Sequence, residues 1–291
     1  MARAISIILP ARNESSGLSD LLPSILELYP QAEIIVVDDG SDDGTPAVCR
    51  SLGGKVVSHP YPKGNGAAIK TGARTATGDV LVFLDADGQH KPEDIAELLA
   101  VFDQGHDMVV GARGEGSQAG LHRAVANDMF SRFATWMVQQ PVEDLTSGFR
   151  VVDASKFRKF LYLLPNGFSY PTTITMSFFR AGYSVAYVPI HTPRRASGTS
   201  HIRPVRDGVR FLLIIIKIGT LFSPLKLFIP VSLFFFMAGM GHYLYTYLTS
   251  GRFTNMSALL LITAVLTFLI GIVSEQISTL HYKGVNEDPR P

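Results

Sequence analysis

Cysteine occurs once in these 291 residues. Cys49 alone excludes an intrachain disulfide and fits a reducing compartment. Charge is scarce too: Asp, Glu, Lys and Arg make up 18% of the chain, and the formal net charge is +1. That balance leaves no case for a nucleic-acid partner, which needs a concentrated basic surface. No secretory signal is visible. Ala4–Leu9 is apolar but too short for a signal core, and it runs straight into Pro10-Ala11-Arg12-Asn13-Glu14 without a cleavage-like site. The bulk of the protein is therefore expected in the cytoplasm. Internal repeats and low-complexity segments are also lacking.

Apolar residues are in excess, and unevenly so. Up to about Ala186 the chain reads as an ordinary soluble domain; after Asp207 it is dominated by Leu, Ile, Phe and Val. In the first half, Ile5–Leu9, Glu33–Val37, Lys55–Ser58, Val80–Leu84 and Met108–Val110 are strand candidates. Leu18–Leu28, Thr45–Leu52, Gly66–Thr75 and Pro92–Phe102 between them are helix candidates. Pro92 suits a first helical turn, with Glu93 and Asp94 favourably placed at its N-terminus. This βαβα rhythm predicts an α/β domain with a mainly parallel sheet and helices on both faces.

Leu225–Leu248 and Met256–Leu280 are each long enough to cross a bilayer, at about 20 residues per span. The expected organisation is a domain over 1–203, an interfacial helix over 204–223, a two-helix hairpin over 224–283 and a short tail over 284–291. Phe211–Ile216 is too short to span and is flanked by Arg210 and Lys217, which suits a helix on an anionic leaflet; a buried helix is the alternative. Arg203, Arg206, Arg210, Lys217 and Lys226 precede the first span, and Lys283 and Arg290 follow the second, against Arg252 alone in the link. The positive-inside rule then puts the domain and both termini in the cytoplasm.

The strongest local signal is Val80–His90, VLVFLDADGQH. A buried strand ends in Asp85 and Asp87, where open α/β sheets bind ligands. Two close carboxylates repel, so a cation between them and a phosphorylated ligand beyond is the natural complement. Pro10–Glu14 follows the first strand, Asp38–Thr45 the second, and Lys63-Gly64-Asn65-Gly66-Ala67 precedes a helix. Singly, each has a plain structural explanation: a turn with an N-cap at Ser41 or Thr45, or a loop whose glycines supply positive φ. The alternative at Lys63–Gly66 is a backbone close to a phosphate, with Lys63 as a point charge.

Together, PARNE, VVDDGSDDGT, KGNGAA and DADGQH resemble the family 2 glycosyltransferases of the GT-A fold, and within them the polyprenyl-phosphate glycosyltransferases. The resemblance runs from Ile5 to about Ser200, and the two-span tail matches the membrane-anchored members. It implies a nucleotide-sugar pocket lined by Pro10, Ala11, Asn13, Glu14, Asp39, Lys63, Gly66, Asp85, Ala86 and Asp87. Asp85 would sit beside the sugar or ribose. Asp87 and Gln89 would ligate Mg²⁺ or Mn²⁺ shared with the diphosphate, oxygen ligands suiting those hard cations. His90 as a third ligand competes with a structural role before Pro92. Arg113, Arg123, Asn127 and Arg195 would clamp the lipid phosphate, with Asp85, Asp87, Arg123 and Arg195 as the catalytic set. Asp144–Arg150 matches the segment beneath the acceptor, where Asp144 would orient a neighbouring arginine.

The expected reaction is an inverting, metal-dependent transfer of a hexose from a nucleotide diphosphate sugar, UDP-hexose preferred, to a membrane polyprenyl phosphate. Thr173 stands where mannose-transferring relatives place a glutamate, so their sugar specificity is not carried over. A processive polysaccharide synthase is the rival enzyme, but the sole tryptophan, Trp136, lacks the Gln-x-x-Arg-Trp motif. A non-catalytic nucleotide-sugar-binding scaffold is the rival of another class. A homo-oligomer is compatible with the resemblance. Glu275 inside the second span would ordinarily mark function, and its place near the end of that span makes snorkelling to the interface the alternative.

Overall fold

A computed structural model describes residues 3–88, 90–113, 131–167, 170–190, 216–217 and 219–286. The chain divides into two units, Met1–Thr199 and Ser200–Pro291.

The first unit is built on a seven-stranded sheet. Its strands are β1 (Ile5–Ala11), β2 (Glu33–Asp38), β3 (Lys55–Ser58), β4 (Val80–Phe83), β5 (Met108–Arg113), β6 (Arg150–Asp153) and β7 (Val185–Ile190). Its helices are α1 (Ser15–Leu28), α2 (Thr45–Ser51), α3 (Asn65–Thr75), α4 (Asp94–Phe102), α5 (Ala154–Lys159) and α6 (Tyr170–Arg180). The strand order is β3-β2-β1-β4-β6-β5-β7. β1 pairs in parallel with β2 on one side and β4 on the other, so the order reverses beside β1. That switch point is where a crevice opens beyond the carboxyl ends of the strands.

The five strands read from the sequence are present, with β1, β2 and β5 running further than expected and β4 ending one residue earlier, at Phe83. Their apolar runs are buried on both faces: Ile7, Ile8, Leu9, Leu81, Val82 and Phe83 have no exposed surface. α4 begins at Asp94 rather than Pro92, which lies in the preceding turn. β6, β7, α5 and α6 extend the architecture beyond the βαβα reading. β6 runs antiparallel to both neighbours, making the sheet mixed though mostly parallel. β7 lies at an edge, the position where its Pro189 is tolerated.

Antiparallel β6 has a positional consequence. Its register pairs Phe83 with Arg150 and Val82 with Val151. Extending that register by two residues sets Gly148 opposite Asp85. The segment entering β6 therefore arrives at the same sheet edge that the parallel strands leave.

In the second unit, α7 (Pro224–Ser250) and α8 (Asn255–Asn286) form a hairpin. Pro224–Ser250 and Asn255–Leu280 are long and apolar enough to cross a membrane, with mean hydropathies of 1.6 and 2.6 over an 18-residue stretch of each. Their surfaces expose large apolar side chains such as Phe234, Met237, Leu248 and Leu266, unlike the core helix of a soluble protein. Ser232 Oγ donates to the Ala264 carbonyl at 2.8 Å, and His242 Nδ1 meets Ser257 Oγ at 3.0 Å across the pair. The Glu275 carboxylate accepts the Leu225 amide at 3.3 Å, at the start of α7. An anion there satisfies an orphan N–H and complements the helix dipole. The expected interfacial helix lies mostly outside the described residues.

Candidate active site

Four loops gather at the carboxyl edge of the sheet, and hydrogen bonds stitch the first two together. The Asn13 amide donates to Ser41 Oγ (2.9 Å), and the Asp42 amide donates back to Asn13 Oδ1 (3.0 Å). The Glu14 amide donates to Thr45 Oγ1 (3.1 Å) and the Ser15 amide to Asp43 Oδ2 (3.2 Å). Asn13 holds φ at 56°, a left-handed conformation that asparagine tolerates better than most residues. Burial works to raise the Asp43 pKa, but hydrogen bonds from Thr45 and Ser15 prevail and hold it at about 2. The sequence-level caps are revised: Gly44 is the N-cap of α2, without a side-chain cap bond, while Asp38 Oδ1 accepts the Ser41 amide at 3.0 Å in a local turn.

Asp39 is nearly inaccessible, at 4% exposure. Its carboxylate accepts the amides of Lys63 (2.8 Å) and Gly64 (2.7 Å), and His59 Nδ1 lies 2.7 Å away. His59 Nε2 in turn meets Thr71 Oγ1 on α3 at 2.9 Å. Burial raises the Asp39 pKa, but the bonds from His59, Lys63 and Gly64 outweigh it and the net shift is downward. Asp39 thus fastens the end of β2 to the loop before α3, whatever it offers a ligand. Lys63 is exposed at that loop, its Nζ 5.5 Å from the Tyr61 ring centroid.

The glycines of Lys63–Gly66 have a packing explanation. A Cβ at Gly66 would stand 2.0 Å from the Pro165 carbonyl oxygen, and one at Gly64 2.5 Å from that of Asn166. The Ala67 amide donates to Asn166 O (3.0 Å) and Lys70 Nζ to Leu164 O (3.0 Å). Protein carbonyls therefore occupy part of the α3 N-terminus that the sequence offered to a phosphate.

At the end of β4, Ala86 is buried, Asp87 half-buried and the Asp85 side chain 36% exposed. His90 is buried, with Nε2 3.9 Å from Asp85 Oδ2 and its ring 5.1 Å from that of Phe149. That placement favours a strut behind Asp85. Among the described residues no group of three His, Cys, Asp or Glu side chains is placed to hold a metal ion. A two-carboxylate strand end nevertheless suits a divalent cation that takes its remaining ligands from a diphosphate.

Pro10 and Ala11 end β1, and Asn13, Glu14, Asp39, Lys63, Asp85, Ala86 and Asp87 lie in loops on the same sheet edge, with Gly66 buried in the first turn of α3. Arg113 closes β5 at that edge. Gln89, Arg123, Asn127 and Arg195 lie outside the described residues.

The segment before β6 adds residues that the candidate set omitted. Asp144 Oδ1 accepts the amides of Thr146 (2.8 Å) and Ser147 (3.1 Å), a local turn rather than only an arginine's support. Arg150 is wholly buried beneath that turn and donates to the Ser147 carbonyl. Thr172 Oγ1 and Tyr170 OH on α6 donate to the carbonyls of Leu145 (3.1 Å) and Gly148 (3.3 Å). Thr173, in the same turn of α6, is buried. A charge beside Val151-Val152 reads locally as a solvated strand end, so only the antiparallel pairing reveals Arg150 as interior.

Comparison with known proteins bears on the family and the fold. The family described as Glycosyl transferase family 2 matches residues 6–162, and the GtrB C-terminal hairpin matches residues 223–280. Polyprenol monophosphomannose synthase of Mycolicibacterium smegmatis is 29% identical over 209 residues, 67% of this chain and 79% of the relative. Dolichyl-phosphate hexose transferase of Haloferax volcanii is 27% identical over 217 residues, 74% of this chain and 93% of the relative. Among solved structures, glucosyl-3-phosphoglycerate synthase from Mycobacterium tuberculosis, in complex with Mn²⁺, UDP and glucosyl-3-phosphoglycerate, superposes with a TM-score of 0.58 at 23% identity. That match covers 75% of this chain and 78% of the other, and bears on the fold.

Proposed function

From the premise that this chain belongs to glycosyltransferase family 2, we propose that it transfers a hexose from a nucleotide diphosphate sugar, a UDP-hexose preferred, to a polyprenyl phosphate in the membrane, with inversion at the anomeric carbon. One observation carries the reading: a single chain joins an acidic β4 end in a GT-A-like crevice to an apolar hairpin long enough to cross a bilayer. The relatives named for transfer to polyprenol and dolichyl phosphates support the acceptor class.

The acceptor's chemistry limits what the protein must supply. A phosphate monoester, with a second pKa near 6, is mostly dianionic at neutral pH. It is already a nucleophile, so no general base is required of Asp85 or any neighbour. The difficulty is the charge that develops on the departing nucleoside diphosphate. Asp87, with Gln89, would hold a divalent cation, which when bound neutralises that charge. Asp85 orients the donor, and the stitched loops around Asn13 and Asp39 hold the nucleotide end in register with it. Arg113, Arg123, Asn127 and Arg195 are assigned to the lipid phosphate, where a planar guanidinium can grip two oxygens. The charge asymmetry around the hairpin supports a catalytic domain on the cytoplasmic side.

The test is direct. Membranes containing the full chain are incubated with labelled UDP- and GDP-sugars and a polyprenyl phosphate. An organic-soluble, negatively charged glycolipid is expected, dependent on Mg²⁺ or Mn²⁺. Tight nucleotide-sugar binding without any glycolipid would instead favour the scaffold.

A further inference from the structure

Arg150 is among the largest side chains with no exposed surface in the described part of the molecule. Its described hydrogen bonds go to uncharged acceptors. Nη2 donates to the Ser147 carbonyl, and Nη1 faces the Pro171 carbonyl and Thr175 Oγ1 at 3.3 Å and Met108 Sδ at 3.8 Å. Its Nε has no hydrogen-bond partner among the described residues, and the Tyr170 ring centroid lies 5.7 Å from the guanidinium carbon. Burial pushes its pKa down, while Tyr170, Tyr187, Asp144 and Asp85 act in the opposite direction. A guanidinium stays protonated in such surroundings. A buried charge held by neutral groups is an expensive way to fill a core, and apolar replacements of such charges are often neutral or stabilising. Stability alone therefore does not account for arginine at this position.

What the guanidinium holds is informative. Ser147 leads into Gly148, and a Cβ on Gly148 would stand 2.8 and 2.9 Å from the two Asp85 carboxylate oxygens. The Asp85 carboxylate thus rests against the Gly148 backbone, and a side chain there would have to push it aside. On the other side, Pro171 and Thr175 tie the same guanidinium to the first turns of α6. We propose that Arg150 is a positioning residue for sugar transfer: it clamps the Ser147–Gly148 peptide between β6 and α6, and that peptide sets where the Asp85 carboxylate meets the donor. This rests on the reading of Asp85 as a donor-side group. A displacement of 1 Å from the productive geometry can cost about a hundredfold in rate.

The experiment uses the full chain, with Arg150→Lys, Arg150→Met and Gly148→Ala assayed for turnover, donor binding and thermal unfolding. Lysine keeps the charge but loses the fork, so Arg150→Lys should bind donor within about threefold of wild type and turn over at least tenfold more slowly, with methionine lower still. Gly148→Ala, which pushes on Asp85 without touching Arg150, should show the same split between kcat and donor affinity. In an Asp85→Asn background, Arg150→Lys should cost at most a further twofold, because both substitutions act through one carboxylate. Wild-type turnover in Arg150→Lys, or its full penalty persisting in that background, would overturn the inference. Should methionine or alanine prevent folding, Arg150→Lys with its Asp85→Asn double variant still decides. Donor hydrolysis by water is followed in parallel. If wild type glycosylates no polyprenyl phosphate, the acceptor reading falls, and the coupling between Arg150 and Asp85 is judged on hydrolysis.

Discussion

Asp39 and Asp87 lie on the same edge of the sheet and do different work. Asp39 faces inward, and its carboxylate is bonded to Lys63, Gly64 and His59. Those bonds hold its folded pKa below the ordinary carboxylate value despite burial, which acts to raise it. Its stabilising contribution is therefore fully present above the unfolded pKa of about 3.9 and is lost as pH falls through the lower folded value. Asp39→Asn should lower the unfolding midpoint by an amount equivalent to about 1–3 kcal/mol at pH 7. The gap from wild type should narrow below about pH 4, as thermal scans across pH would show. Asp87 is a test of chemistry instead. Asp87→Asn should leave the midpoint near wild type, cut turnover by about a hundredfold or more and raise the Mn²⁺ concentration needed for half-maximal rate. A metal titration of transfer rate measures this.

At the scale of elements, the opposite edge of the sheet is pinned by Glu33 at the start of β2. Its carboxylate accepts from Lys55 Nζ (2.8 Å), Ser6 Oγ (2.7 Å) and the Thr77 amide (2.7 Å), joining β1, β2, β3 and the turn before β4. Burial opposes ionisation, but these bonds bring its pKa from 4.5 down to about 2. Glu33→Gln should cost about 2 kcal/mol at neutral pH, and the difference should fade as pH falls from about 4.5 towards 2. Denaturant melts at pH 7 and pH 3 would show it, and equal penalties at both would refute it. The strands that Glu33 unites were legible because each is a run of β-branched and aliphatic residues closed by a turn. The later half was not. Arg150–Asp153 offers only Val151-Val152 between charged ends, and Val185–Ile190 contains Pro189, so local pattern speaks against both. β6 is a strand because β4 and β5 leave a slot for it, a non-local cause. The site divides the same way: Asp85 and Asp87 follow from a strand-end motif, while Arg150 required the pairing of Phe83 with Arg150 to be recognised.

For the whole molecule, the crevice and the hairpin are separate units of one chain. An acceptor whose phosphate sits at the bilayer surface is met at high local concentration only by an enzyme held there. Removing Leu225–Pro291 should therefore reduce transfer to a long-chain polyprenyl phosphate by more than tenfold, while donor binding changes little and a short, water-soluble acceptor is used almost as well. Parallel assays with the two acceptors measure the difference; equal losses would mean that the hairpin merely supports the fold. The antiparallel strand has a consequence of its own during synthesis. β5 leaves the ribosome before β6, yet β6 is the strand that joins it to β4. From Phe83 to Arg150 the ribosome adds 67 residues (150 − 83), roughly 3–13 s at 5–20 residues per second. Throughout that interval the nascent sheet carries an open, wholly apolar edge at Val80–Phe83, and a chain stalled there would be a ready partner for aggregation or for a chaperone.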